Sequence, residues 1–169
     1  MRGELHHRPS PPTTDGKIAA DMLCGTMSTS CVFCEIIAGT ATAARLHEDA
    51  ATVAVLDLRQ SNPGHVLVLP RTHVVSLDQL PDALCAPVMK TVVAMTRAVQ
   101  ACFRPDGISV WQSNGEGANQ EVPHVHFHVF PRWKDDEHVR IYPGTVADAR
   151  PAELEQLAQR LRAFIPAIT

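Results

Sequence analysis

The sequence predicts an α+β fold, an antiparallel sheet with one long helix inserted. Short β-type apolar runs recur between turn formers along the middle of the chain. Most of these runs are joined by connections too short to hold a crossover helix. A single long segment, Asp82 to Phe103, instead repeats apolar residues at helical spacing.

Taken in order, Cys31 to Ala38 reads as a short helix with Val32, Phe33, Ile36 and Ile37 apolar and Gly39 as its stop. Arg45 to Glu48 and Thr52 to Leu58 follow as strands. The turn Ser61-Asn-Pro-Gly64 leads into His65 to Leu69, a β-type run that Pro70 closes. In the long helix, Leu84, Val88, Val92, Met95, Val99 and Cys102 form one face, and Pro87 fits near the first turn or as a kink. Ile108 to Gln112 is a strand, Ser113 to Gln120 a Gly- and Asn-rich loop, and His124 to Phe130 a further strand. Pro151 to Phe164 is a last helix with Leu154, Leu157, Ala158 and Leu161 on one face.

Composition bounds what the chain can do. Its 169 residues and 18.4 kDa suit one domain, and 45% hydrophobic residues supply a core. A net charge of −3 and a pI near 6.3 argue against a broad basic surface, so nucleic acid is not the expected partner. The longest stretch without Asp, Glu, Lys or Arg, Met22 to Cys34, is too short to span a bilayer, so no membrane association is expected. No Leu- or Ile-rich run follows the basic start, unlike a secretory signal. Cytoplasmic placement is the expectation. Residues 1–30 are poor in apolar residues and rich in turn formers, and are expected to be a disordered extension. Met27, just before the domain pattern begins, is an expected alternative translation start. Cys24, Cys85 and Cys102 read as tail or helix residues.

The most informative stretch is His124-Val-His126-Phe-His128-Val-Phe130. In a strand, alternate side chains share a face, so three imidazoles would line one side while Val125, Phe127 and Val129 pack on the other. Two chemistries suit such a row. Several of the histidines chelate a metal directly, or one acts as a nucleophile while its neighbours position it or hold phosphate oxygens. Cys31-x-x-Cys34 supplies half of a tetrahedral zinc site, and His73 and His124 are the natural candidates to complete it. Four protein ligands would make the zinc structural and leave His126 and His128 free.

These residues together resemble the histidine triad (HIT) family of nucleotide hydrolases and transferases, in its zinc-containing bacterial-type form. The resemblance extends over Cys31-Val-Phe-Cys34-Glu-Ile-Ile-Ala-Gly39, Ala54-Val-Leu-Asp57, Pro63-Gly-His65-Val-Leu-Val-Leu-Pro70-Arg-Thr-His73, Ser113-Asn114-Gly with Gln120, and the triad itself. It implies a HIT-like fold with a five-stranded antiparallel sheet, usually a homodimer, with residues 31–138 as the domain and 139–169 as a helical C-terminal extension. It also implies attack on the α-phosphate of a purine ribonucleotide conjugate, a dinucleoside polyphosphate or a phosphoramidate. Position by position, His126 matches the nucleophile. His128, Gln120 and Asn114 match phosphate contacts, and Asp57 the ribose ligand. Val32, Phe33, Ile36, Leu56 and Leu58 match the base sandwich, and His65 a histidine beside the catalytic group. His124 matches the triad position that binds zinc where the Cys pair is present.

One position departs from the pattern. Glu121 stands where well-known members carry a small hydroxyl residue that assists the leaving group; an ionised carboxylate there donates no hydrogen bond and repels phosphate. It points away, or it takes a proton or a cationic leaving group. Two rivals to nucleophilic catalysis remain on sequence grounds: a metallohydrolase whose zinc the triad holds, and a nucleotide-binding regulatory module with little turnover.

Overall fold

The computed structural model describes residues 31–134, 136 and 148–167. The N-terminal extension, with Cys24 and Met27, lies outside the described residues. The elements run α1 (Val32–Ala38), β1 (Arg45–Glu48), β2 (Thr52–Leu56), β3 (Val66–Pro70), α2 (Asp82–Phe103), β4 (Gly107–Gln112), β5 (Phe127–Arg132) and α3 (Pro151–Arg162). Two single 3₁₀ turns, Leu77–Gln79 and Glu116–Ala118, shape the longer connections. The five strands form one antiparallel sheet in the order β1-β2-β3-β5-β4. The predicted α+β class and the five-stranded sheet are both present.

Strand periodicity divides the core between two faces. In β2 and β3 the register pairs Val53 with Leu69 and Val55 with Leu67, and these four pack with Phe33 and Ile36 of α1. The alternate pair, Ala54 with Val68, joins Val88, Val92 and Val99 of α2. One helix therefore covers each face, and the period of two decides which side chains meet which helix. Both faces being covered explains why β2 and β3 are apolar almost throughout. A buried hydrogen bond of 2.9 Å between the Thr52 and Thr91 hydroxyls ties β2 to α2, so neither hydroxyl is stranded in the core.

Several boundaries differ from expectation for local reasons. β2 ends at Leu56, not Leu58, because Asp57 Oδ1 accepts the Arg59 N–H at 2.8 Å and turns the chain. β3 begins after His65 and includes Pro70, which sits opposite Thr52. As the last strand residue it has little need of the N–H it lacks. β5 begins at Phe127, so His124 and His126 precede it and the three imidazoles do not lie along one strand face. There Val125 N–H donates to the Val74 carbonyl at 2.8 Å, which bends the segment out of the sheet ladder. Pro87 lies in the second turn of α2, inside the helix. Leu154, Leu157 and Leu161 of α3 are all exposed. Among the described residues no helix is long and apolar enough to cross a membrane.

Gly64 turns the chain into β3 at φ +101°, a conformation L side chains rarely adopt. A β-carbon there would lie 2.6 Å from the Phe103 ring at the end of α2. Gly64→Ala should lower unfolding free energy by about 2 kcal/mol or more, from backbone strain plus displacement of Phe103. A urea titration that leaves the midpoint unchanged would contradict this.

Candidate active site

The site lies on the α1 face of the sheet, because register fixes which side of β5 its histidine takes. His128 pairs with Leu67 on one side and Trp111 on the other, so all three point toward α1. The His128 ring stacks on Trp111 with centroids 4.3 Å apart and planes 6° from parallel. Phe33 of α1 stands edge-on to His126, at 5.0 Å. Between them opens a cavity of about 430 Å³, within the range of small-molecule sites. Val32, Phe33, Ile36, Leu56, Asp57 and Leu58 line it, together with His126 and His128.

The triad divides its labour by where each imidazole points. His126 Nδ1 lies 2.7 Å from the carbonyl oxygen of His124. A carbonyl only accepts, so Nδ1 carries the proton and Nε2 is left with a free lone pair. His128 faces the other way round: its Nδ1 lies 2.9 Å from Nε2 of His65, whose own Nδ1 lies 3.3 Å from the Arg59 carbonyl and 3.6 Å from an Asp57 carboxylate oxygen. With Nδ1 of His65 donating to Arg59, its Nε2 accepts from His128. The free nitrogen of His128 is then Nε2. Burial holds His128 down to about 3, helped by the nearby His126, His65 and Arg59 charges. His65 is lowered too, burial outweighing the Asp57 carboxylate. Both rings are neutral near pH 7 in the empty pocket, so His128 becomes a cation only with an anion beside it.

His124 points away from the cavity, into a second cluster. Its Nδ1 lies 3.6 Å from each of the Cys31 and Cys34 sulfurs and 3.3 Å from His73 Nδ1, which is 3.2 Å from Cys34. A tetrahedral zinc with nitrogen at about 2.05 Å and sulfur at about 2.3 Å has N···N edges near 3.3 Å and N···S edges near 3.6 Å. The three edges at His124 Nδ1 match that spacing, the Cys34–His73 edge is shorter, and all four ligand atoms lie within 4.8 Å of one another. His124 Nε2 also lies 2.9 Å from the Pro70 carbonyl, which fixes the proton there and leaves Nδ1 free to ligate. Burial, with the neighbouring Cys31, pushes the Cys34 thiol up to about 11. Asp57, His65 and His128 are the other group whose ligand atoms lie within 4.8 Å of one another among the described residues. There the His65 ring is bonded through Nε2 to His128 and through Nδ1 to the Arg59 carbonyl, with the Asp57 carboxylate 3.6 Å from the same Nδ1.

Asn114 and Gln120 stand outside the cavity lining, committed to their own loop. Asn114 Oδ1 accepts from Leu77 N–H and Gln112, while Gln120 accepts from Gly115 N–H and donates to the Val75 carbonyl. Sequence reading missed Trp111, whose place beside His128 depends on the β4–β5 register and leaves no local signal. It also missed Arg59. That side chain lies on the cavity rim in a two-pronged pair with Glu121, at 2.9 and 2.5 Å, so Glu121 is charge-balanced and does not stand alone.

The family model described as the HIT domain matches residues 38–135. An adenosine 5'-monophosphoramidase of Schizosaccharomyces pombe is 38% identical over 103 residues, 61% of this chain and 74% of that protein. A crystal structure of a HIT family member from Bacillus subtilis superimposes with a TM-score of 0.76 at 32% identity, covering 82% of this chain and 99% of that one. A zinc-bound histidine triad family protein from Mycobacterium smegmatis does so with a TM-score of 0.61 at 33% identity, covering 81% and 99%.

The neutral burial of His128 and His65 has a stability consequence. Unfolded, both titrate near the ordinary value of about 6.5, so below that pH the unfolded chain takes up protons the folded chain refuses. Stability is full above pH 6.5 and falls as pH drops toward 5. In urea titrations His128→Gln should show a smaller loss between pH 7 and pH 5 than the parent chain; equal losses would contradict the assignment.

Proposed function

The chain belongs to the HIT family, and we propose that it is a nucleotide hydrolase or transferase that cleaves at the α-phosphate of a purine nucleotide conjugate through a covalent nucleotidyl-histidine. The observation that carries this is the 2.7 Å contact from His126 Nδ1 to the His124 carbonyl, which leaves Nε2 bare at the cavity wall. A neutral imidazole with a fixed tautomer attacks phosphorus without a separate base.

In the proposed first step, His126 Nε2 forms a bond to the α-phosphorus while the bond to the leaving group breaks, its electron pair departing with that group. His128 Nε2 faces the phosphate oxygens and takes a proton from solvent as the substrate's charge arrives, so the ring donates to them where the charge develops. The hydrogen-bonded relay from His128 through His65 to the Arg59 carbonyl keeps that ring in place. Water then forms the new P–O bond, one of its protons passes to solvent, and the P–N pair returns to His126. Asp57 is the proposed acceptor for the ribose hydroxyls, with Val32, Phe33, Ile36, Leu56 and Leu58 holding the base. Asn114 and Gln120 are proposed to act by shaping the loop that closes the pocket.

The Cys31, Cys34, His73 and His124 set is proposed to hold zinc. Bound there, zinc supplies a four-ligand cross-link with no open position for substrate, and the chemistry stays with the free imidazoles. The similarity to an adenosine monophosphoramidase and to the zinc-bound mycobacterial protein supports the substrate class and the metal. A homodimer is proposed as well. Exposed Met89 and Val93 on α2 and Val110 on edge strand β4, opposite Val129, support an interface on that side.

The test is His126→Asn, which keeps polarity and size but removes the nucleophile. Its kcat/KM for adenosine phosphoramidate should fall on the order of 10³-fold or more, with nucleotide binding and about one zinc per chain retained. Loss of the metal together with turnover would favour a triad-held zinc. Retained turnover would sink covalent catalysis by His126.

A further inference from the structure

The Arg59–Glu121 pair spans the cavity rim between the two working histidines' surroundings, and nothing in the mechanism above uses it. Both side chains are well exposed, 73% and 63%, so the pair contributes little to stability. Its position says more. Arg59 is anchored by its backbone to the relay, its N–H on Asp57 Oδ1 at 2.8 Å and its carbonyl on His65 Nδ1 at 3.3 Å. The base of the side chain is therefore fixed with respect to His65 and His128. Both side chains line the same cavity as His126 and His128, and the guanidinium charge is felt by the His65 and His128 rings, which it lowers alongside burial.

Glu121 engages two of the five guanidinium N–H groups, one on each terminal nitrogen. The remaining three meet no acceptor among the described residues. A carboxylate held by both terminal nitrogens occupies the fork that a sulfate or phosphate oxyanion takes equally well. The free donors let such a group bind beside the carboxylate or in its place.

Resting on the proposed reaction at His126, we propose that Arg59 selects conjugates whose leaving group is a tetrahedral oxyanion, with Glu121 holding the guanidinium ready at the rim. The distinction is chemical. From adenylyl sulfate the P–O bond breaks and both electrons leave with sulfate as a dianion, which needs no proton but gains from a cation beside it. From adenosine phosphoramidate the P–N bond breaks and the nitrogen takes a proton to leave as ammonia, so a guanidinium offers it nothing. Glu121 alone would repel the α-phosphate, and Arg59 also shields against that. The two roles separate in a double substitution.

The experiment measures kcat/KM for adenylyl sulfate and for adenosine phosphoramidate with the full chain, Arg59→Ala, and Arg59→Ala combined with Glu121→Gln. The sulfate-to-phosphoramidate ratio should fall about tenfold or more in Arg59→Ala and stay down in the double variant, where no unpaired carboxylate remains. Arg59→Lys, a cation without the fork, should fall between. A ratio unchanged in Arg59→Ala, or restored in the double variant, overturns the selection role and leaves Arg59 as a shield for Glu121. Turnover of the phosphoramidate with none of the sulfate by the parent chain overturns it too, while the reaction at His126 stands. If neither substrate is consumed, the proposed reaction itself fails and the selection role with it.

Discussion

Residue 124 fixes the site twice over, once with its side chain and once with its backbone. Its imidazole closes the Cys31, Cys34 and His73 cluster, its far ring nitrogen is tied to Pro70 at the end of β3, and its carbonyl accepts from His126. The cluster joins α1, the segment after β3 and the approach to β5 at one point. Apart from that anchor the 124–126 segment, which lies outside the sheet ladder, is held by the Val125 to Val74 backbone bond, the buried Val125 side chain and the contact of His126 with Phe33. The tautomer of the proposed nucleophile thus depends on the placement of a neighbour that never faces the substrate. An imidazole with its proton on the wrong nitrogen has the same position and no useful lone pair, so the constraint is electronic as much as geometric.

The electrostatics of the pocket follow from burial. Burial keeps His65 and His128 neutral near pH 7, stacked against one another with His128 also on Trp111. In the proposed reaction charge arrives with the ligand and is met by groups already aimed at it, which avoids the reorganisation that water would need. Arg59 and Glu121 fit the same pattern at the rim, each cancelling the other until a ligand competes.

Much of this was legible in the residues alone, and what was missed has physical causes. Arg45–Glu48 and Asp82–Phe103 have the predicted bounds because each has one dominant period and clear stops at both ends. That Cys31, Cys34, His73 and His124 come together was readable because thiolates and imidazoles at those spacings have few other uses. The triad misled in one respect. Alternation implied a single strand face, yet a hydrogen bond to Val74, over fifty residues upstream, pulls its first half off the sheet. Asn114 and Gln120 are polar residues whose partners are backbone atoms of a loop and its neighbour, which no spacing rule reveals. Trp111 and Arg59 reach the site through strand register and an Asx turn at Asp57, both properties of the folded chain.

At the centre of the account is a bond between His126 Nε2 and the α-phosphorus. Mixing the protein for milliseconds with adenosine phosphoramidate, quenching in alkali because phosphohistidine is labile in acid, and mapping peptides by mass spectrometry tests it directly. The account predicts one added adenylyl group on the peptide containing His126, absent from His126→Asn. Product release with no adduct at any quench time would contradict it and point to direct attack by water.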